Sequence, residues 1–143
     1  MRVQDFIKGK VTTVSRTASI QEVARKMADE DIGFLPVVDD AGKAVGTITD
    51  RDIVVRLLAK GGKLEGVQVD QAMTKDVISI RPEDDLSKAS ELMKDRKVSR
   101  VLICDASGKP VGVVSLGDLA ERHEEGEVGR TMKEVKEGAS LSH

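Results

Sequence analysis

The sequence predicts an α+β fold in which two pseudo-symmetric β-α-β-β-α motifs pack as one module. The main observation is an internal repeat, because shifting the chain by 66 residues superposes Val3 on Val69 and Asp52 on Asp118 without a gap. Apolar positions and turn glycines stay in step along this alignment, as expected for a structural repeat. The length of 143 residues suits one compact domain or two small units sharing a core.

The first repeat opens with a short strand and an amphipathic helix. Val11–Val14 has the apolar, β-branched composition of a strand. Ser19 stands three residues before Glu22, a spacing typical of a capping box, so a helix is predicted to begin there. The apolar stripe of this helix follows helical spacing and consists of Ile20, Val23, Ala24 and Met27.

A β-hairpin and a second helix complete the first repeat. Phe34–Val38 is a continuous apolar run, which indicates a buried strand. The polar, glycine-bearing segment Asp40–Lys43 predicts a tight turn, and Val45–Thr49 is the return strand. A second helix is predicted to begin at Asp50.

The second repeat predicts the same elements in the same order. Its helix opens at Pro82–Asp85 and its second helix begins at Leu116. The strands are Val77–Ile80, Val101–Cys104 and Val111–Ser115, the turn is Ala106–Lys109, and the helical stripe is Leu86, Ala89, Leu92 and Met93.

These elements divide the chain into four parts. Residues 1–59 form the first motif with its lead-in, and residues 69–123 form the second motif with its own lead-in. The polar segment 60–68 is the predicted linker, with three glycines. Residues 124–143 form a charged tail, in which Val128, Met132 and Val135 have the spacing of one short amphipathic helix.

Composition excludes several classes of protein. The 23 basic and 25 acidic residues leave a net charge of −2, so no basic excess is present to neutralise nucleic-acid phosphates. No apolar run approaches the roughly 20 residues of a membrane-spanning helix. The N-terminus has no apolar signal region, and Cys104 is the single cysteine, so we expect a cytoplasmic protein without an internal disulfide.

Catalytic and metal motifs are missing from the sequence. The two histidines, His123 and His143, have no partner at zinc-ligand spacing. No phosphate-binding glycine loop, serine nucleophile elbow or acid–base pair is recognisable. We therefore expect no enzyme, no catalytic residue, no metal site and no required cofactor.

The one motif that suggests chemistry occurs twice, as Gly46–Asp52 and as Gly112–Asp118. Each is a glycine, two strand residues, a hydroxyl residue and, three positions on, an aspartate. One interpretation is structural, with the hydroxyl as a helix N-cap and the aspartate accepting from backbone N–H groups. The other is a ligand site, because a helix N-terminus attracts phosphate and a carboxylate can accept both hydroxyl hydrogens of a ribose.

With these motifs, the chain resembles a tandem pair of CBS domains, known as the Bateman module. The resemblance rests on the two glycine-to-aspartate motifs and on Asp31–Val37, and it covers roughly residues 3–123. It implies adenosine-containing ligands such as AMP, ADP, ATP, NAD or S-adenosylmethionine, two cleft sites and a disc-like homodimer. It also implies a regulatory role toward a protein partner whose identity the sequence does not give.

The resemblance assigns eight candidate nucleotide-binding residues. Asp52 and Asp118 would bind ribose hydroxyls, and Thr49 and Ser115 would contact ribose or phosphate. The remaining four are Arg100 and Arg51 as phosphate ligands, with Arg100 completing the Asp52 site, and Thr13 and Ser79, whose backbone would edge the adenine. The alternative is that both arginines are solvated surface residues and that Thr13 and Ser79 are ordinary strand residues. Leu116-Gly117 replaces Asp50-Arg51 in the second motif, and glycine weakens a first helical turn, so we expect the Asp52 site to be the stronger.

Three hypotheses remain open at this point. The first is a non-catalytic nucleotide sensor. The alternative is a ligand-free dimerisation or protein-interaction scaffold with vestigial clefts. A third is a metal or redox sensor that uses Cys104 or His123, and an enzyme is the least favoured class.

Overall fold

The structure is a computed structural model, and it describes residues 1–7 and 9–121. The chain forms two compact units, which we name after their motif aspartates. The Asp52 unit comprises residues 12–77 and 107–110. The Asp118 unit comprises residues 1–11, 78–106 and the described residues from 111 onward. The predicted tail 124–143, together with His123 and His143, lies outside the described residues.

In the Asp52 unit, a three-stranded sheet with the order β1-β2-β3 packs against helix α1. Its strands are β1 (Val14–Ser15), β2 (Phe34–Val38) and β3 (Ala44–Thr49), and α1 is Ile20–Glu30. Strand β2 pairs parallel to β1 and antiparallel to β3, with Phe34 opposite Thr49. The buried core includes Ile20, Val23, Leu35, Val37 and Ile48.

The helix after β3 changes its winding along its length. It begins as the α-helical turn α2 (Asp50–Asp52), continues as a π-helical turn at Ile53–Leu57 and ends as a 3-10 turn at Leu58–Lys60. A π turn rotates the residues that follow it relative to the preceding turn, and such turns are frequent at functional sites. Here Ile53 points into the core, while Val54, Val55 and Leu58 are exposed.

The Asp118 unit repeats this plan with a sheet of order β4-β5-β6 and two helices. Strand β4 (Ser79–Ile80) runs parallel to β5 (Arg100–Cys104), and β6 (Pro110–Ser115) lies beside β5. The helices are α3 (Ser87–Arg96) and α4 (Leu116–Glu121). The core is formed by buried side chains of both layers, including Leu86, Met93, Ile103, Val114 and Leu119.

The lead-in of each sequence repeat packs in the unit that holds the strands of the other repeat. Val3, in a 3-10 turn at Val3–Phe6, is fully buried in the Asp118 unit, and its N–H donates to Asp84 O at 2.9 Å. Val69, in a 3-10 turn at Val69–Gln71, is fully buried in the Asp52 unit, and its N–H donates to Ala18 O at 2.8 Å. The hydrophobic core of each unit therefore contains residues of both sequence repeats.

The α+β prediction is confirmed, and both second helices begin where the sequence placed them, whereas β3, β5 and β6 each begin one residue earlier than predicted. Ser19 is the N-cap of α1, as predicted, and accepts from Glu22 N at 3.1 Å. Two further details differ. The first strand of each repeat is only two residues long. Helix α3 begins at Ser87, because Asp85 Oδ2 accepts hydrogen bonds from the N–H and the hydroxyl of Ser87.

One member of the predicted α1 stripe, Ala24, is exposed, whereas Ile20, Val23 and Met27 are buried. Within residues 1–7 and 9–121, no helix has both the length and the apolar character needed to cross a membrane.

Candidate functional site

The first candidate site is built on the turn from β3 into α2. The Thr49 hydroxyl accepts from the Asp52 N–H at 3.1 Å, and Asp52 Oδ2 accepts from the Thr49 N–H at 2.9 Å. This reciprocal pair is a capping box, so the structural interpretation of the motif is correct. It uses one oxygen of the Asp52 carboxylate and fixes the direction of the other, Oδ1.

Arg56 approaches that second oxygen. Its Nε lies 3.5 Å from Asp52 Oδ1, and its Nη1 donates to the Met73 carbonyl at 3.3 Å. The Asp52 side chain is only 14% exposed, whereas that of Arg56 is 49% exposed. Arg56 therefore joins the motif aspartate to the lead-in segment that packs on this unit.

A groove of about 710 Å³ lies beside Arg56 on the Asp52 unit. It is lined by Arg56 and by residues of the lead-in segment, which are Asp70, Gln71, Met73, Thr74, Lys75 and Asp76. Two cationic and two anionic side chains thus share one concave surface. The groove has a mixed electrostatic character.

The second candidate site repeats the cap at the turn from β6 into α4. Asp118 Oδ2 accepts from the Ser115 N–H at 2.8 Å, and the Ser115 hydroxyl accepts from the Asp118 N–H at 3.1 Å. Gly117, expected to weaken this turn, does not prevent the cap. In both motifs the cap uses Oδ2 of the aspartate and does not use Oδ1.

Asp118 lines a cavity of about 250 Å³ within its unit. The other lining residues are Phe6, Val11, Val111, Gly112 and Val113, whose apolar side chains share the cavity wall with polar atoms. A carboxylate beside apolar side chains suits a small molecule that has both polar and apolar faces.

The two motif glycines differ in what lies next to them. A Cβ at Gly46 would come within 2.5 Å of Thr74 O and 2.8 Å of Met73 Sδ, because the lead-in pairs with Thr47 there. A Cβ at Gly112 would meet Ile103 Cδ1 at 3.1 Å and Ile7 Cγ1 at 3.5 Å. Only glycine fits at Gly46, and space next to the strand is greater at Gly112.

The other four predicted residues take different positions. Thr13 and Arg51 belong to the Asp52 unit, and Ser79 and Arg100 belong to the Asp118 unit. The Thr13 carbonyl, expected to edge the adenine, accepts from Lys26 Nζ at 2.9 Å. Arg51 and Arg100 are exposed, at the start of α2 and of β5. The pairing of Arg100 with the Asp52 site stays a prediction.

Ser79 is hydrogen bonded to the thiol of Cys104. Cys104 is buried, and burial raises the pKa of its thiol, with the Ser79 bond acting in the opposite direction. A buried thiol with a raised pKa is a poor nucleophile and metal ligand. The geometry therefore gives no support to a sensor based on Cys104.

Sequence reasoning missed the groove and the walls of the cavity. Arg56 is not among the residues predicted from the sequence, although its position four residues after Asp52 is the spacing of an ion pair on a helix. Phe6 and Val11 were assigned to their own repeat, and no local signal places them against the Asp118 motif.

Comparison with known proteins identifies the family of the chain. A family model described as "CBS domain" matches the chain twice, at residues 3–59 and 69–125. The CBS domain-containing protein YhcV of Bacillus subtilis is 38% identical over 118 residues, which is 82% of this chain and 82% of that protein.

Two solved structures are similar in fold. A conserved CBS domain protein of unknown function, TA0289 from Thermoplasma acidophilum, has a TM-score of 0.81 at 22% identity, covering 95% of this chain and 76% of that one. The CBS domain pair of protein MJ0100, in complex with 5′-methylthioadenosine and S-adenosylmethionine, has a TM-score of 0.75 at 29% identity. That match covers 85% of this chain and 98% of the other.

Proposed function

This chain belongs to the CBS domain family as a tandem pair, and we propose that it is a non-catalytic regulatory module that binds adenosine-containing ligands. The observation on which the proposal rests is the pair of capped aspartates, Asp52 and Asp118, each with one carboxylate oxygen outside its cap. The ligands we propose are AMP, ADP, ATP, NAD or S-adenosylmethionine. They bind as regulatory ligands rather than as cofactors of a reaction.

The chemistry of the Asp118 cavity suits a nucleoside. An ionised carboxylate is an acceptor only, so Asp118 Oδ1 can take the hydrogens of the ribose 2′- and 3′-hydroxyls. The apolar side chains beside it, including Val111 and Val113, suit the flat face of an adenine. The Ser115 N–H, which donates to Asp118 Oδ2, holds the carboxylate in place before the ligand arrives.

A relative supports the same ligand class. Protein MJ0100, whose CBS pair is 29% identical to this chain, was crystallised with two adenosine derivatives. In our proposal the ligand changes the relative stability of two conformations of this chain, and an unidentified protein partner distinguishes them. Such regulation requires that the ligand bind one conformation more tightly than the other.

We propose that the module acts as a homodimer. The support is an apolar surface formed by Val54, Val55 and Leu58, which are 53%, 43% and 50% exposed. Clustered exposed apolar side chains commonly mark an interface, and a twofold contact places such a surface against itself. Sedimentation equilibrium of the Val55→Lys/Leu58→Lys variant should show a monomer, with Gln21→Lys on the exposed side of α1 as the control.

A thermal-unfolding series tests the ligand proposal. Unfolding is followed by circular dichroism because the chain has no Trp or Tyr. Adenosine, AMP, ATP, NAD and S-adenosylmethionine are each added in excess. A ligand at about 100 times its Kd adds roughly 2.7 kcal/mol to the free energy of unfolding, which raises Tm by several degrees. An unchanged Tm with all five would favour the ligand-free scaffold instead.

A further inference from the structure

The groove beside Arg56 has a charge pattern that goes beyond the binding of adenosine. Arg56 and Lys75 are cationic, and Asp70 and Asp76 are anionic, so the described ionic side chains lining it sum to zero charge. Lys75 and Asp76 are exposed neighbours of opposite sign, whereas Asp70 is half-buried. A polyphosphate placed here would gain from the two cations and be repelled by the two carboxylates.

Arg56 connects this groove to the motif aspartate. Its Nε lies 3.5 Å from Asp52 Oδ1 and its Nη1 donates to the Met73 carbonyl, so the guanidinium contacts the proposed ribose-binding residue and also lines the groove. A guanidinium has five N–H donors, and these two contacts engage two of its nitrogens. The guanidinium therefore retains donors for a ligand carboxylate, which it can bind through two parallel bonds.

We propose that the groove binds the zwitterionic amino-acid end of an adenosine derivative whose ribose is held by Asp52. The ligand carboxylate pairs with Arg56 and Lys75, and the ligand ammonium pairs with Asp70 and Asp76. The groove thereby selects adenosine ligands with an amino-acid tail over adenosine phosphates. This inference rests on the proposed function, because it needs an adenosine at Asp52.

Discrimination of this kind requires attraction and repulsion together. The two carboxylates give no advantage to a neutral tail, favour a tail with an ammonium group and disfavour a phosphate. Asp76 is therefore the most informative residue, since its charge acts with opposite sign on the two classes of ligand. Lys75, its neighbour, should act on both classes with the same sign.

The experiment measures two affinity ratios by calorimetric titration in an Asp118→Asn background, which leaves the Asp52 site. The tail ratio compares S-adenosylhomocysteine with 5′-methylthioadenosine, and the phosphate ratio compares AMP with adenosine. We expect the amino-acid tail to tighten binding about tenfold, the effect of one charge-assisted hydrogen bond. We expect the phosphate to tighten binding by less than twofold.

Variants of the two exposed neighbours supply the matched comparison. Asp76→Asn should lower the tail ratio and raise the phosphate ratio, whereas Lys75→Gln should lower both. A phosphate ratio larger than the tail ratio in the Asp118→Asn protein would overturn the proposal. An Asp76→Asn substitution that moves both ratios in the same direction would also overturn it.

The two proposals fail in distinguishable ways. If adenosine and 5′-methylthioadenosine bind and the tail makes no difference, the groove inference is wrong and the proposed function stands. If neither nucleoside binds to the Asp118→Asn protein or to the wild-type protein, the proposed function fails and the groove inference fails with it.

Discussion

Arg56 Nε lies 3.5 Å from Oδ1 of Asp52, the carboxylate oxygen that does not take part in the helix cap. A ribose bound at Asp52 must compete with this ion pair or share the oxygen with it. Because the Arg56 side chain is 49% exposed, the pair is of the partly solvated kind, for which about 0.2–1 kcal/mol is typical.

Arg56→Gln should therefore strengthen the binding of adenosine at Asp52, by up to about fivefold, because the carboxylate loses its internal partner. The same variant should weaken S-adenosylhomocysteine relative to 5′-methylthioadenosine. Calorimetric titration in the Asp118→Asn background checks both. A parallel loss of affinity for adenosine and for the tailed ligand would show that Arg56 only supports the fold.

Lys97→Gly should raise the stability of the protein. Lys97 ends α3 with φ of 57°, a left-handed conformation that costs a side chain about 1–2 kcal/mol and glycine nothing. After subtraction of the extra chain entropy of glycine, the free energy of unfolding should rise by roughly 0.5–1 kcal/mol. Lys94→Gly, inside the same helix, should instead lower it by about 1 kcal/mol. Urea denaturation measures the free energy of unfolding of both variants. Destabilisation by Lys97→Gly would contradict the left-handed backbone conformation at this position.

The Cys104 thiol should be unreactive in the folded protein. It is 4% exposed, and burial raises the pKa of the thiol, so both access and the thiolate fraction are low. With Ellman's reagent at neutral pH, native protein should react many times more slowly than the same protein in guanidinium chloride. Rapid reaction of the native protein would place Cys104 at the surface and revive a redox role.

Stability should decline in acid partly through Asp84 and Asp85. A backbone hydrogen bond from Arg81 lowers the pKa of Asp84, and hydrogen bonds from Ser87, the side-chain bond first, lower the pKa of Asp85 from the ordinary value of 3.8. Depressed folded-state pKa values contribute stability that is fully present above about pH 4 and is lost as the pH falls through them. Asp84→Asn/Asp85→Asn should therefore be destabilised at pH 7 relative to wild type, and the difference should shrink below pH 3.

The control for this prediction is Asp29→Asn, which removes one exposed carboxylate from α1. Its difference from wild type should be small at both pH values. A difference for the double variant that is as large at pH 2.5 as at pH 7 would show that the two carboxylates act through packing and not through their charge.

Local signals account for the parts of the fold that the sequence predicted. The apolar run Phe34–Val38 is a strand to the residue, and Ser19 caps α1. Each of these features depends on residues within a few positions of one another, so the chain specifies them without reference to the rest of the molecule. The internal repeat then predicted the same elements for the second motif.

The position of the lead-in segments could not be predicted in the same way. Val3 and Val69 correspond in the repeat, but nothing in their neighbourhood indicates which sheet buries them. Their burial depends on contacts far apart in sequence, such as Val3 N with Asp84 O and Thr74 N with Thr47 O. These segments supply part of the lining of both candidate sites, so Phe6, Lys75 and the groove were missed for the same reason.

The motif aspartates illustrate the limit of motif reasoning. Sequence offered a cap or a ligand site for Asp52 and Asp118, and the structure shows that the cap uses only one carboxylate oxygen. The two interpretations are therefore compatible, which spacing alone could not reveal.

The central claim is that these two aspartates bind adenosine, and one titration tests it most directly. Adenosine is titrated calorimetrically into wild type, Asp52→Asn, Asp118→Asn and the double variant, since Asn can still accept the capping hydrogen bond. Ser19→Ala, which removes a cap outside both motifs, is the control for loss of stability. Our account predicts that each single variant weakens binding at one site at least tenfold, that the double variant abolishes binding and that Ser19→Ala binds normally. Wild-type affinity in a folded double variant would contradict it.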